Sequence, residues 1–283
     1  MPIIPHSRQG WLRLLVFPFA AYLLIAPALS FLVALHSSSK LNGVPIFVGH
    51  GSEAHLNYGL IAVGLAEYLT IGSAFVCAIR LYRRSGEVMK PLPIVAILIF
   101  GVTALISGLQ FVFPQILFEF RRSSEALWAG EWWRLVTPLF VQSAGWSQCV
   151  NNGLAALFLL PLAEKFYGKR LLALYFVSGI IGSEVFFYTL EPSPNGGGSS
   201  VAIYGVMGGL FIFAFRHRRE FPRSTIGFVI SGLCPSVFLG FRHDFHGTGI
   251  LTGALLACMM RTRLQTIPKT PPNTALEPTA TAP

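Results

Sequence analysis

The chain is a succession of apolar runs, and no other feature restricts its fold as much. Residues 11–35, 58–80, 92–117, 148–164, 171–190, 200–215, 225–241 and 246–260 each contain at most two charged residues. A helix crossing a bilayer takes about 20 mostly apolar residues. Lipid offers no hydrogen bonds, so each run must satisfy its backbone internally. The in–out alternation of barrel strands is missing, which leaves helices. The run starting at Trp11 is too long for the apolar part of a signal peptide and suits a span. Charged residues make up only 12% of the 283 positions, against about 25% in soluble domains. The sequence predicts an all-α, multi-pass membrane protein.

Its basic residues give it an orientation. With the N-terminus in the cytoplasm, the inner segments hold Arg8 and Arg13; Arg80, Arg83, Arg84 and Lys90; Lys165, Lys169 and Arg170; Arg216, Arg218, Arg219 and Arg223; and Arg261, Arg263 and Lys269. The outer segments keep Lys40, Arg121, Arg122, Arg134 and Arg242. Positive charge collects on the cytoplasmic side of membrane proteins. The net charge of +9 is therefore a topological signal, not a nucleic-acid footprint. Trp128, Trp132, Trp133 and Trp146 share one outer segment, as an interfacial belt requires. The outer loop 118–147 is expected to lie partly in the interface. The Pro/Thr/Ala-rich end, from about 265, is expected to be disordered.

Proteolysis inside a membrane can use a metal, paired aspartates or a serine. Asp244 is the single aspartate and no HExxH motif occurs, so neither an aspartyl dyad nor that zinc site can be built. His36, His50 and His55 share a loop at spacings that fit no helical ligand pair. The scattered Cys77, Cys149, Cys234 and Cys258 form no metal motif and read as small buried apolar residues. No metal or cofactor is implied. Serine remains. The passage NGGGSSVAIYGVMGG, residues 195–209, puts two hydroxyls at the outer mouth of an apolar helix. They either cap that helix or supply a nucleophile, which needs a base within reach. The last run starts with His246 at the same outer level. His246, Gly249, Gly253 and Ala257 form one helical stripe, and Ser200, Tyr204 and Gly208 form another. Small residues let membrane helices approach closely, so Ser200 and His246 can meet, with Tyr204 packed on the imidazole. His243 is a rival base without such a stripe. Asp244 reads as the N-cap of the last helix.

These features resemble the rhomboid family of intramembrane serine proteases. GSSVAIYG, from Gly198 to Gly205, is similar to the family's GxSG-plus-glycine pattern and points to Ser200, not Ser199. His246, Gly249 and Gly253 match its HxxGxxxG. EWWRLVTPLF carries its WR and TP pairs in Trp133, Arg134, Thr137 and Pro138. Asn152, Pro161 and Glu164 match a further spacing. The likeness covers about 92–262. It implies a six-helix core at 91–263, preceded by two extra N-terminal transmembrane helices within 1–90 and followed by a tail at 264–283.

The resemblance also implies roles. Ser200 attacks a peptide carbonyl with His246 as base, and Asn152 and Gln148 donate to the oxyanion. Gly205, Gly249 and Gly253 pack the helices. The substrate is a transmembrane protein unwound near the outer face, and no nucleic acid is expected. If the organism is bacterial, the membrane is the plasma membrane. Three departures stand out. Gln148 replaces a histidine, Val201 replaces a glycine and should crowd the substrate cleft, and Gln142 or Ser143 stands where a further histidine is common. An alternative is a catalytically weak or inactive relative that binds membrane helices without cutting them. Arg134 and Trp133 read as interfacial anchors, and Glu164 as a clamp at the inner end of a core helix. Glu67 and Glu184, inside apolar runs, would suit a transporter, but without an internal repeat they read as partnered structural glutamates.

Overall fold

A computed structural model of the chain describes residues 58–85, 92–187, 195–241 and 244–262. The expected first span, His243 and the tail lie outside the described residues, as does the Glu184 side chain. The long helices are α1 (Tyr58–Ser85) and α2 (Ile94–Val112), followed by two short helices, α3 (Gln115–Phe120) and α4 (Ser124–Trp128). Then come α5 (Trp146–Tyr167), α6 (Leu171–Phe187), α7 (Ser200–Arg216), α8 (Arg223–Phe241) and α9 (Phe245–Met259). Helices occupy seven of the eight expected runs, most within a few residues of their expected ends. The run 92–117 needs correction, because its helix stops at Val112. Proline disfavours helical geometry in the residue before it, and Phe113, preceding Pro114, has left the helical region at φ −122° and ψ 86°. Pro114 then opens the separate helix α3.

The protein is an integral, multi-pass membrane protein. Ile94–Val112 and Arg223–Phe241 are 19 residues each, apolar, and only 28% buried. Leu98, Leu105, Ile230 and Phe241 stand exposed on them. In water such faces would be liabilities. In lipid they are the solvent-facing surface.

At the centre is α7, buried on every side, as expected of a helix that is apolar all round. It is flanked by α6, α9, α5 and α8, with α1 against α8 and α2 against α5. Glycines set the α7–α9 distance. A Cβ on Gly253 would overlap the backbone of Gly205, and one on Gly249 would lie 2.5 Å from the Val201 carbonyl oxygen. The two backbones are therefore in direct contact, which only glycine permits. Phe166 of α5 stacks on Phe213 of α7 at 3.8 Å. The Tyr167 hydroxyl donates to the Gly209 carbonyl at 2.7 Å. A tight turn at Gly168, with φ +57°, then brings α6 back alongside.

The added helix α1 joins the same core through Phe75, Cys77, Ala78 and Leu81. Phe75 stacks on Phe158 of α5 at 5.2 Å. The Thr70 hydroxyl donates to the Gly232 carbonyl of α8 at 3.3 Å, and Arg80 donates to Ser224 and Thr225, both at 3.0 Å.

Glu164 clamps the N-terminal end of α2. Its carboxylate accepts the Val95 and Ala96 N–H groups at 3.1 and 2.7 Å. Those first-turn donors have no partner within their own helix. Glu164→Ala is therefore expected to destabilise the protein by about 1–2 kcal/mol, measured by unfolding in mixed detergent micelles. Glu164→Gln, which keeps one acceptor, should restore about half of that loss.

The outer loop corrects another expectation. Arg134 is 6% exposed and is not an interfacial anchor. Its guanidinium donates to the Phe118 and Arg121 carbonyls at 2.9 and 2.8 Å and pairs with Glu131 at 2.5 Å. Arginine's fan of donors thus gathers three points of the loop around one side chain. Trp128, Trp132, Trp133 and Trp146 are exposed and keep the belt reading.

Candidate active site

The glycine run reaches α7 through a tightly held extended segment. Gly198 N–H donates to the Pro138 carbonyl at 2.8 Å. The Ser143 hydroxyl donates to the Gly197 carbonyl at 2.8 Å and accepts the Gly197 N–H at 3.1 Å. A Cβ on Gly197 would come within 2.7 Å of Val141, and one on Gly198 would strike the Gln148 amide. Gly197 thus lies against the Pro138 and Val141 stretch, and Gly198 against the Gln148 side chain. This segment delivers the two serines to different surroundings. Ser199 is 2% exposed and faces inward, its hydroxyl 3.4 Å from the Gln142 amide nitrogen. Ser200 is half-buried, at the first position of α7.

Ser200 Oγ lies 3.0 Å from His246 Nε2, and His246 Nδ1 lies 2.9 Å from Glu67 Oε1. One tautomer satisfies both contacts: the proton sits on Nδ1 and is donated to Glu67, leaving Nε2 to accept from the serine. Tyr204, one turn into α7, packs on the imidazole with ring centroids 4.5 Å apart. Phe245 lies 4.6 Å away on the same measure. Asp244 caps α9, its Oδ1 accepting the His246 and Gly247 N–H groups at 2.8 and 3.3 Å. Burial alone would raise the Asp244 carboxyl, but hydrogen bonds from His246 and Gly247 hold it below the usual carboxylate range.

Glu67, Asp244 and His246 each bring a ligand atom within 4.8 Å of the others, a donor set that suits a divalent cation. Here Nδ1–H is donated to Glu67, and Asp244 Oδ1 already holds two backbone groups. Those atoms are committed within the network.

Gln148 and Asn152 sit one turn apart on α5. Gln148 Nε2 donates to the Gly197 carbonyl at 3.2 Å, and its Oε1 accepts the Ala144 N–H at 2.8 Å. Asn152 Nδ2 donates to Gln142 Oε1 at 2.7 Å. Each amide nitrogen carries a second hydrogen. Next to Asn152 is a cavity of about 100 Å³, lined by Ser107, Gln142, Asn152 and Ser199 on a mostly apolar wall.

Known proteins resemble this arrangement. Residues 129–263 match the rhomboid domain. That match takes in just under half of the chain and gives it a rhomboid domain. Over 99 residues, 35% of the chain, it is 39% identical to rhomboid protease GluP of Bacillus subtilis (strain 168), covering 19% of that protein. It is 34% identical over 84 residues, 29% of the chain, to RHOMBOID-like protein 9, chloroplastic, of Arabidopsis thaliana, again covering 19%. Against Rhomboid-like protease 3 of Toxoplasma gondii it is 26% identical over 145 residues, 48% of the chain and 55% of that protein. The chain thus spans between a fifth and about half the length of these relatives.

In this protein the valine after the serine is not where the sequence reading put it. Val201 is 2% exposed and does not face a substrate cleft. Its side chain fills the space over two glycines: Cβ atoms on Gly182 of α6 and Gly249 of α9 would each lie 2.9 Å from Val201 Cγ1. The bulk gained at position 201 is absorbed by side chains missing from the facing helices. Sequence reasoning also missed the contact of Glu67. A glutamate in an apolar helix marks a costly group, but nothing local says which of the other helices receives it.

Proposed function

We propose that this protein is an intramembrane serine endopeptidase that cuts transmembrane proteins near the outer face of the membrane. The carrying observation is the 3.0 Å contact between Ser200 Oγ and His246 Nε2, beside a Ser199 that faces away from the imidazole. Ser200 Oγ attacks the scissile carbonyl carbon as its proton passes to His246 Nε2, and the carbonyl π pair moves onto oxygen. The imidazolium then gives that proton to the leaving amine as the C–N bond breaks. Water then repeats the two steps on the acyl ester and frees Ser200.

The short helix supports a cut inside the bilayer. α7 has 17 residues and is about 25 Å long, against a hydrocarbon core of about 30 Å. With the Arg216–Arg223 turn held at the cytoplasmic surface, Ser200 lies roughly 5 Å below the opposite boundary. The proposal takes the N-terminus and tail to be cytoplasmic, 1–90 to be a membrane extension, 91–263 the core and 264–283 a tail. Ser200 N–H, Gln148 Nε2–H and Asn152 Nδ2–H are the oxyanion donors. Losing one such donor costs about 10²- to 10³-fold in turnover. Gln148→Ala is accordingly expected to lower kcat about 100-fold with little change in KM.

The second reading, a relative that binds helices without cutting them, draws on the donors of Gln148 and Asn152, which already serve Gly197 and Gln142. Proteoliposomes holding the protein and a tagged single-span substrate separate the two. Mass spectrometry is expected to find a cut in the outer third of the substrate helix. Co-purification of intact substrate with no fragment would establish the binder instead.

A further inference from the structure

We propose that Glu67, carried on the extra N-terminal helix α1, is a positioning residue that completes a Ser200–His246–Glu67 relay. This deepens the reading above and rests on it. The geometry comes from a long way off in sequence, since 179 positions separate Glu67 from the histidine it contacts. Nevertheless Oε1 lies 2.9 Å from His246 Nδ1, with the two side chains 29% and 18% exposed. α1 lies outside residues 129–263, which match the rhomboid domain. The extension thus places a carboxylate on the face of the imidazole opposite the nucleophile.

Three observations give the contact its function. A carboxylate within an apolar helix is expensive and is normally paired, and Glu67 is directed at an imidazole. The tautomer that lets Ser200 donate to Nε2 must carry its proton on Nδ1, and Glu67 is the acceptor there. Asp244 is the rival acceptor and is the poorer one. Its Oδ1 stands 3.4 Å from Nδ1 and already accepts two backbone N–H groups of the helix it caps. Glu67 therefore holds the ring in the productive tautomer and faces the positive charge that develops on it. An acid in this position acts on turnover, not on substrate binding.

The α1 helix is fastened in register for this task. The Thr70 hydroxyl reaches the Gly232 carbonyl, Ser73 meets Ser231 at 3.2 Å, and Arg80 is held by Ser224 and Thr225. All of these partners lie on α8, the helix immediately before His246. A shift of α1 by one residue would turn Glu67 about 100° away.

The test uses the full-length protein in detergent and in proteoliposomes. Glu67→Gln keeps an acceptor of the same shape without the charge, Glu67→Ala removes both, and Glu67→Asp keeps the charge on a shorter arm. Thr70→Ala loosens α1 without touching the imidazole. Turnover of the single-span substrate, the rate of fluorophosphonate labelling and the unfolding midpoint are measured for each. Expected is a kcat lower by about 100-fold in Glu67→Gln and by more in Glu67→Ala, with KM unchanged. The loss is smaller than for an isolated triad acid because Asp244 stays nearby. Labelling should slow in the same order, Glu67→Asp should recover part of the rate, and EDTA should change nothing.

Several outcomes overturn the relay. One is wild-type turnover and labelling in both Glu67→Gln and Glu67→Ala. Another is a loss in Thr70→Ala as large as in Glu67→Gln at equal stability, which would make α1 a brace only. A third is activity lost with EDTA and restored by zinc, which would make the cluster a metal site. Ser200→Ala run alongside keeps the layers apart. If it retains full labelling, the hydrolase reading fails. If it loses labelling while the Glu67 variants do not, only the relay fails.

Discussion

Replacing Ser200 by alanine is expected to lower cleavage of a transmembrane substrate by about 10⁶-fold while leaving the fold intact. The adjacent serine is no substitute for the nucleophile, because the Ser199 hydroxyl faces Gln142 in the interior. His246→Ala should cost about as much, since an unassisted hydroxyl is a weak nucleophile at neutral pH. The two losses should not add, and the double variant should be no slower than either single one. Stability should fall by only about 1 kcal/mol in Ser200→Ala, the worth of one partly buried hydrogen bond. Initial rates in proteoliposomes and unfolding in detergent check both halves. Additive losses would mean that the two residues act on separate steps.

The second large effect concerns spacing. Gly253→Val is expected to destabilise the protein by about 3 kcal/mol, the upper part of the overpacking range, and to lower activity at least 100-fold. The added Cβ meets the Gly205 carbonyl group and Cα. That is main chain of the central helix and cannot swing aside. Relief requires α9 to move outward, which takes His246 with it and stretches a 3.0 Å contact beyond hydrogen-bond reach. Gly227→Ala provides the contrast. Nothing lies within 4 Å of its added Cβ, so stability should hold or rise by about 0.5 kcal/mol. Equal effects at the two glycines would contradict the close-contact account of the α7–α9 pair.

The fold was readable because the bilayer imposes one rule on every span, and apolar run length reports it directly. Run length does not register a local break such as Phe113–Pro114, so the expected span there came out too long. The stripes that bring Ser200 and His246 to one level were also readable, since each is periodic within its own helix. Contacts between helices were another matter. Val201 looked obstructive because the glycines that make room for it, Gly182 and Gly249, lie on other helices. Arg134 looked interfacial because a basic residue among tryptophans usually is, whereas two of its partners are loop carbonyls that any sequence could supply and the third is Glu131. Glu67 advertised its cost but not its destination. Such features depend on how helices are rotated against one another, which hydrophobic periodicity leaves open to several solutions.

The central claim is that His246 activates Ser200 and no other serine, and an adduct map tests it most directly. Protein in detergent is treated with a fluorophosphonate, digested and sequenced by mass spectrometry, beside His246→Ala. The account predicts a single phosphonylated peptide modified at Ser200, absent from the His246→Ala digest. A modification at Ser199, or one at Ser200 that persists undiminished without the imidazole, would contradict it.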